Sequence, residues 1–277
     1  MMPRKLFCEI SPAAYQISRE KEILKRKLQN RLCGASFAKT RQAQAMPVLV
    51  YKHQSLIRRS LNNVDLVLQE NKAKGLGIAA PLVSGILIRP GETFSFWELV
   101  GRCTRKKGYL EGVIIKNGKP ARGVGGGMCQ FTNLIHWMVL HSTLEVTEHH
   151  HHNALDLFPD FDRQIPFGTG TSIVYNYLDY RFRNIGDFAY QLIVYTSGTH
   201  LCGEIRAEKV PQVKLHIREE DAYFFERDGE IFRHNKIFRR VVDKRSGSTL
   251  SDELLLENTA KTMYNRKFIP AEKIRKI

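Results

Sequence analysis

The feature that most limits the fold of this chain is a change of hydrophobic period partway along it. Up to about residue 75 the apolar residues recur at helical spacing; beyond it they alternate, or form short runs broken by turn residues. Ser11-Pro12 supplies an N-cap followed by a first-turn proline. Ile17, Leu24, Leu28 and Leu32 then fall on one helical face, with Lys and Arg on the others. Ile57, Leu61, Val64 and Leu68 give a second stripe, which Gly75-Leu76-Gly77 is expected to end. Ile86-Leu87-Ile88 reads as a short strand stopped by Pro90-Gly91. Val113-Ile114-Ile115 reads as another, with Asn117-Gly118 as its hairpin turn.

Phe131, Leu134, Ile135 and Met138 mark a buried helix, and from Leu144 onward strands dominate. Ile173, Tyr175 and Tyr177 alternate, as do Phe188, Tyr190, Leu192 and Val194, with a turn at Asn184-Ile185-Gly186-Asp187 between them. Asp228-Gly229 turns a hairpin between Tyr223-Phe224-Phe225 and Ile231-Phe232, and the stretch from Leu254 to Met263 is expected to be helical. The predicted class is α+β: a helical N-terminal region, then a largely antiparallel β-sheet with one buried helix. That helix begins at Gly125-Gly126-Gly127-Met128-Cys129-Gln130. Three regions follow: a basic helical segment over 1–75, a central domain over 76–206, and a C-terminal β-hairpin with a helical extension over 207–277.

Charge narrows the partners. The net charge is +15, but residues 1–60 carry 13 Lys/Arg against 3 Asp/Glu, and residues 261–277 carry 6 against 1. The middle is balanced at 24 of each. A nucleic-acid reader spreads its cations over a groove-facing core with aromatics between them, so no nucleic acid is expected. Basic ends fit either solvated helix faces or docking arms for an anionic membrane or an anionic wall polymer. No apolar run is long enough for a membrane span and no signal peptide is visible, which points to a cytoplasmic or membrane-peripheral protein. Five cysteines are too few, and odd in number, for a disulfide framework.

The chemistry concentrates at Gly125-Gly126-Gly127-Met128-Cys129-Gln130. A helix starting near Cys129 aims free amides and a positive dipole end at the thiol, which is expected to lower its pKa. The amides of Gly127, Cys129 and Gln130 are candidate oxyanion donors, with Gly125 and Gly126 allowing close approach of a substrate. The competing reading makes the glycines a plain turn and Cys129 a small buried filler. In Glu148-His149-His150-His151-His152, an extended chain puts His150 and His152 on one face, so that pair is a candidate source of a general base. A Cys-His-His zinc site is a weaker alternative, and no cofactor or resident metal is expected. Phe96, in Arg89-Pro90-Gly91-Glu92-Thr93-Phe94-Ser95-Phe96-Trp97, and Tyr109 are either core aromatics or walls of a substrate cleft. Asp179 either orients the base or pairs with Arg181.

These motifs, in this order, resemble the VanW family from about residue 45 to 205, and the 76–206 region is read as a VanW-like domain. The resemblance implies a bacterial cell-wall role connected with glycopeptide resistance. It implies acyl transfer of the L,D-transpeptidase type on peptidoglycan stem peptides or their precursors, with Cys129 as nucleophile and His152 as base. A non-catalytic precursor-binding or scaffold protein is the alternative. Two departures stand out: the family Arg of the histidine element is His149 here, and Gly168-Thr169-Gly170-Thr171-Ser172 carries Gly170 where relatives have Asp.

Overall fold

A computed structural model describes residues 6–58, 66–116, 119–151, 155–156, 159–160, 164–175 and 178–275. Two helices lead, α1 (Phe7–Ile10) and α2 (Pro12–Leu32). The Ser11 hydroxyl accepts from the Ala14 amide at 3.1 Å and Pro12 opens the first turn, as the local sequence requires.

The next stretch departs from expectation. Residues up to 56 are not wholly helical: β1 (Val48–Leu56) occupies the approach to the second stripe. Helix α3 (Leu66–Val83) follows and does not end at Gly75-Leu76-Gly77 but runs through them and past Pro81. Packing overrides propensity here. A Cβ on Gly75 would meet Met128 Cε at 3.2 Å, so glycine lets α3 lie close against the loop before the buried helix. Leu61 and Val64 lie outside the described residues.

Short elements follow: β2 (Ile86–Ile88), β3 (Thr93–Ser95), α4 (Phe96–Val100), β4 (Glu111–Lys116) and β5 (Lys119–Val124). The expected turn residues Asn117-Gly118 fall outside the described residues, but β4 and β5 pair antiparallel around them. Helix α5 (Cys129–Leu140) begins where the glycine run stops. Then come β6 (Glu145–Glu148), β7 (Leu155–Asp156), β8 (Arg181–Arg183), β9 (Tyr190–Thr196) and β10 (His200–Ala207). Ile173 and Tyr175 do not build the expected strand: Val174 and Leu178 form an isolated bridge, and Tyr177 is outside the described residues. Three long strands and a short one close the chain, β11 (Val213–Arg227), β12 (Glu230–Asp243), β13 (Thr249–Thr262) and β14 (Ile274–Arg275). The Asp228-Gly229 hairpin forms as read, both residues at positive φ. The expected helix at Leu254–Met263 is instead strand β13, paired with β12 from Thr249 to Lys261. A run of apolar residues there packs on a sheet rather than closing a helical face.

The result is α+β, with sheet orders β1-β10-β9-β2, β14-β11-β12-β13-β7, β3-β8-β6 and β4-β5. Among the described strands the β11–β14 and β13–β7 pairs are parallel and the others antiparallel. The main core lies between α3, α5 and the β1-β10-β9-β2 sheet, with Phe94, Phe96, Phe131, Tyr180 and Phe182 filling its other end. Helix α5 is buried on most of its circumference, from Phe131 to Leu140. It lies so near β10 that a Cβ on Gly203 would come within 2.6 Å of Met138 Cε.

Helix α2 does the reverse. An apolar stripe ordinarily turns to the core, yet Ile17, Leu24, Leu28 and Leu32 are 61%, 69%, 55% and 75% exposed. Its inward face carries Ile23 and polar ties. Arg26 pairs with Glu148, Asn30 bonds Arg181 and Glu98 at 2.9 and 2.7 Å, and Glu20 pairs with Arg102 at 2.9 Å. Among the described residues no helix is long and apolar enough to cross a membrane.

Candidate functional site

The glycine run is shaped by its neighbours. Gly125 and Gly127 sit at φ +76° and +91°, a region that disfavours any side chain. A Cβ on Gly125 would lie 2.5 Å from Cys103 Cβ, and one on Gly112 would lie 2.5 Å from the Gly126 carbonyl. Backbone thus packs on backbone, which answers for much of the sequence motif on structural grounds. Its amides are partly spent: Gly125 donates to Leu110, Gly126 to Gly123 and Gln130 to Gly127, at 2.9, 3.1 and 3.0 Å. Gln130 is therefore not available as an oxyanion donor. Its side-chain Nε2 donates to the Ser55 hydroxyl and the Leu56 carbonyl, both at 2.9 Å, and ties the loop to β1. The amides of Gly127, Met128 and Cys129 meet no backbone acceptor among the described residues, and Met128 offers no side-chain cap. Free amides at a helix start are donors suited to an anion, although Met128 itself is buried.

Cys129 is half-buried at this helix start. The expected lowering of its pKa is overturned: burial pushes the thiol upward, and the amides of Ile173 and of Cys129 itself only partly offset that. Burial disfavours the charged form, so the resting group is a thiol rather than a thiolate. Thr171 and Ile173 reach Cys129, the first toward its carbonyl and the second through its amide toward the sulfur. Asn133 Oδ1 accepts from the Thr171 amide at 2.6 Å and from its hydroxyl at 2.8 Å. Thr171 also meets Thr132, and the Thr132 hydroxyl donates to the Cys129 carbonyl at 3.2 Å. Sequence reasoning passed over Asn133, Thr132 and Ile173. The available signal was the i, i+4 step from Cys129 to Asn133, which puts both on one face of α5.

Histidines line the same helix further along. His136 is buried, its Nδ1 lies 3.1 Å from the Tyr180 hydroxyl, and its Nε2 has no partner among the described residues. Its ring stacks on His149 at 4.2 Å, and His149 stacks on His151 at 5.7 Å. His149 donates from Nε2 to the Gly170 carbonyl at 3.0 Å. Burial, reinforced by neighbouring imidazoles, holds His136 well below its ordinary pKa; burial takes His149 to about 4 and lowers His151. Three neutral imidazoles therefore form a row. His136 lies seven residues along α5 from Cys129, about 10 Å of helix, too far for a direct hydrogen bond.

His150 is committed elsewhere, donating to Glu148 at 3.1 Å, and His152 lies outside the described residues. Asp179 is buried and accepts from the Ser95 hydroxyl (2.5 Å), the Trp97 amide (3.1 Å) and Arg181 (2.8 Å). It pins the start of α4 and binds no imidazole among the described residues. Glu148, alongside it, is pushed up by burial but pulled lower overall by the Asp179 amide, His150 and Arg26. Phe96 and Tyr109 are fully buried, so they pack the core rather than wall a cleft. No group of three or more His, Cys, Asp or Glu side chains among the described residues is placed to hold a metal.

Comparison with known proteins now bears on this arrangement. The family described as VanW like protein matches residues 71–206. Vancomycin B-type resistance protein VanW of Enterococcus faecalis is 31% identical over 234 residues, covering 84% of this chain and 85% of that protein. Uncharacterized protein YoaR of Bacillus subtilis is 29% identical over 118 residues, 42% of this chain and 36% of YoaR. No solved structure is detectably similar. The match across four-fifths of its length, with the glycine loop and Cys129 inside the matched region, makes this chain a member of the VanW family.

Proposed function

We propose that this protein serves glycopeptide resistance at the cell wall by cysteine-dependent acyl transfer on peptidoglycan stem peptides. The observation that carries the reading is the pair of amides at Gly127 and Met128, which meet no backbone acceptor among the described residues, beside Cys129, whose own amide and that of Ile173 turn to its sulfur. Such a cluster suits the oxyanion of a tetrahedral intermediate. Cys129 Sγ attacks the carbonyl of an L,D-peptide bond. The thiol proton passes to an imidazole of the 149–152 run and then to the departing D-Ala amine. The S–C bond forms as the C–N bond breaks, leaving a thioester. An amine of a second stem peptide attacks that thioester, restores the thiol and makes a cross-link; water gives a carboxypeptidase product instead.

The raised thiol pKa makes proton removal part of the attack rather than a prior event, so a neutral imidazole at hand is required. The test is release of D-Ala from a disaccharide tetrapeptide, followed by chromatography of cross-linked product. Release by the native chain and its loss in Cys129→Ala support acyl transfer. His152→Ala and His151→Ala separate the two imidazoles at the end of the run.

One observation favours the second reading, a non-catalytic precursor-binding protein: no imidazole bonds the sulfur among the described residues. Under that reading Cys129→Ala keeps full biological effect while stem-peptide binding persists.

A further inference from the structure

The unusual helix is α2, whose polar face is turned inward. At 100° per residue, Ile17, Leu24, Leu28 and Leu32 occupy an arc of about 80°. Every one of them is more than half exposed. Lys21 lies within that arc, and Lys25, Lys27 and Arg31 flank it; all four are exposed and make no ion pair among the described residues. The opposite arc is fastened to the domain by Arg26–Glu148, Asn30–Arg181 and Asn30–Glu98. Helix α1 continues the exposure with Phe7 and Ile10. The outward face is therefore an apolar strip whose rim is cationic except for Glu20, itself paired with Arg19 and Arg102, on a helix whose orientation is fixed from behind. A cationic rim around an apolar strip matches a surface with anionic headgroups above acyl chains. It does not match a soluble polyanion, which has no use for the leucines. Toward the C-terminus, Lys261 pairs with Glu230, Arg266 pairs with Glu226, and Arg275 lies over the Tyr223 ring at 4.0 Å.

We propose that the exposed face of α2 lays the protein on an anionic phospholipid surface, with Ile17, Leu24, Leu28 and Leu32 entering the headgroup boundary and Lys21, Lys25, Lys27 and Arg31 meeting lipid phosphates. The domain is then held beside the bilayer with α2 parallel to its plane.

The test is co-sedimentation of the full chain with vesicles of phosphatidylglycerol and phosphatidylcholine in equal parts, against phosphatidylcholine alone. Binding to the anionic vesicles, weakened by salt, is expected. The double variant Leu24→Asp/Leu28→Asp should lower the partition constant by about tenfold or more. Lys21→Gln/Lys25→Gln/Lys27→Gln should lower it on anionic vesicles and flatten the salt dependence. Both variants should keep the native circular dichroism and melting midpoint, since every substituted side chain is exposed. Three outcomes overturn the proposal. The native chain sediments no better with anionic vesicles than without them; or the leucine variant binds as well as the native chain, which leaves charge alone, as toward any polyanion. In the third, the native chain is a dimer that Leu24→Asp/Leu28→Asp dissolves, which makes a second copy the occupant.

Discussion

Helices α2 and α5 carry comparable apolar stripes and meet opposite fates. Helix α5 has Phe131, Leu134, Ile135 and Met138 inside the core, and its remaining faces are covered too. Helix α2 presents its leucines to solvent and joins the domain through Arg26, Asn30 and Glu20. Periodicity thus announces a helix and its apolar face, but not which way that face looks. Orientation is decided by what the rest of the fold offers. Against α5 stands a sheet made so close by Gly203 that only apolar packing fits. Against α2 stands Glu148, half-buried beside Asp179, which calls for a cation and receives Arg26.

The contrast is broken most directly by truncation. Leu134→Ala in α5 should cost about 2–5 kcal/mol, because a buried leucine leaves a cavity that cannot collapse. Leu24→Ala in α2 should stay within about 0.5 kcal/mol, as exposed positions do. Chemical denaturation of both variants checks the pair, and equal losses would mean that α2 packs its leucines after all. Next in size is Gly126→Ala, whose new Cβ would strike the Gly112 backbone. About 1–3 kcal/mol should go, together with any function of the glycine loop, read by melting and by alkylation of Cys129.

Removing the tie behind α2 comes third. Arg26→Ala takes one partner from Glu148, which keeps His150, Arg181 and the Asp179 amide, and should cost about 1 kcal/mol. Hydrogen exchange should rise over 12–32 while α5 stays protected, and a uniform rise across both helices would show that α2 is no separate layer.

A pH dependence tests the buried histidines. His149 is held at about 4 and His53 at about 4, both chiefly by burial, and His136 lies well below its ordinary value. The unfolded chain protonates these rings near pH 6.5, so it binds more protons than the folded chain across the interval down to about 4. Their contribution is complete above that interval and is lost as the pH falls through it. The melting midpoint should drop between pH 6.5 and 4, and His149→Phe should flatten the slope.

Much of this was legible in residues. Ser11-Pro12 fixed the start of α2, Asp228-Gly229 the hairpin, and the glycine run the start of α5. The misreadings share a cause. Glycines in α3 and leucines in β13 were judged by local propensity, whereas Met128 packing on Gly75 and the pairing with β12 decided them. At the site, Cys129 and the glycine loop stand out in sequence. The raised thiol, the Asn133–Thr171 clamp and the Tyr180 contact of buried His136 depend on segments 38 to 44 residues apart, and no pattern in the chain records them.

The central claim is that Cys129 carries an acyl group. Intact-mass measurement of the full chain, acid-quenched after incubation with wall tetrapeptide, tests it most directly. The account predicts a hydroxylamine-sensitive adduct with the mass of the acyl donor less D-Ala, mapped to the Cys129 peptide and absent in Cys129→Ala. An unmodified protein under conditions where the tetrapeptide binds would contradict it.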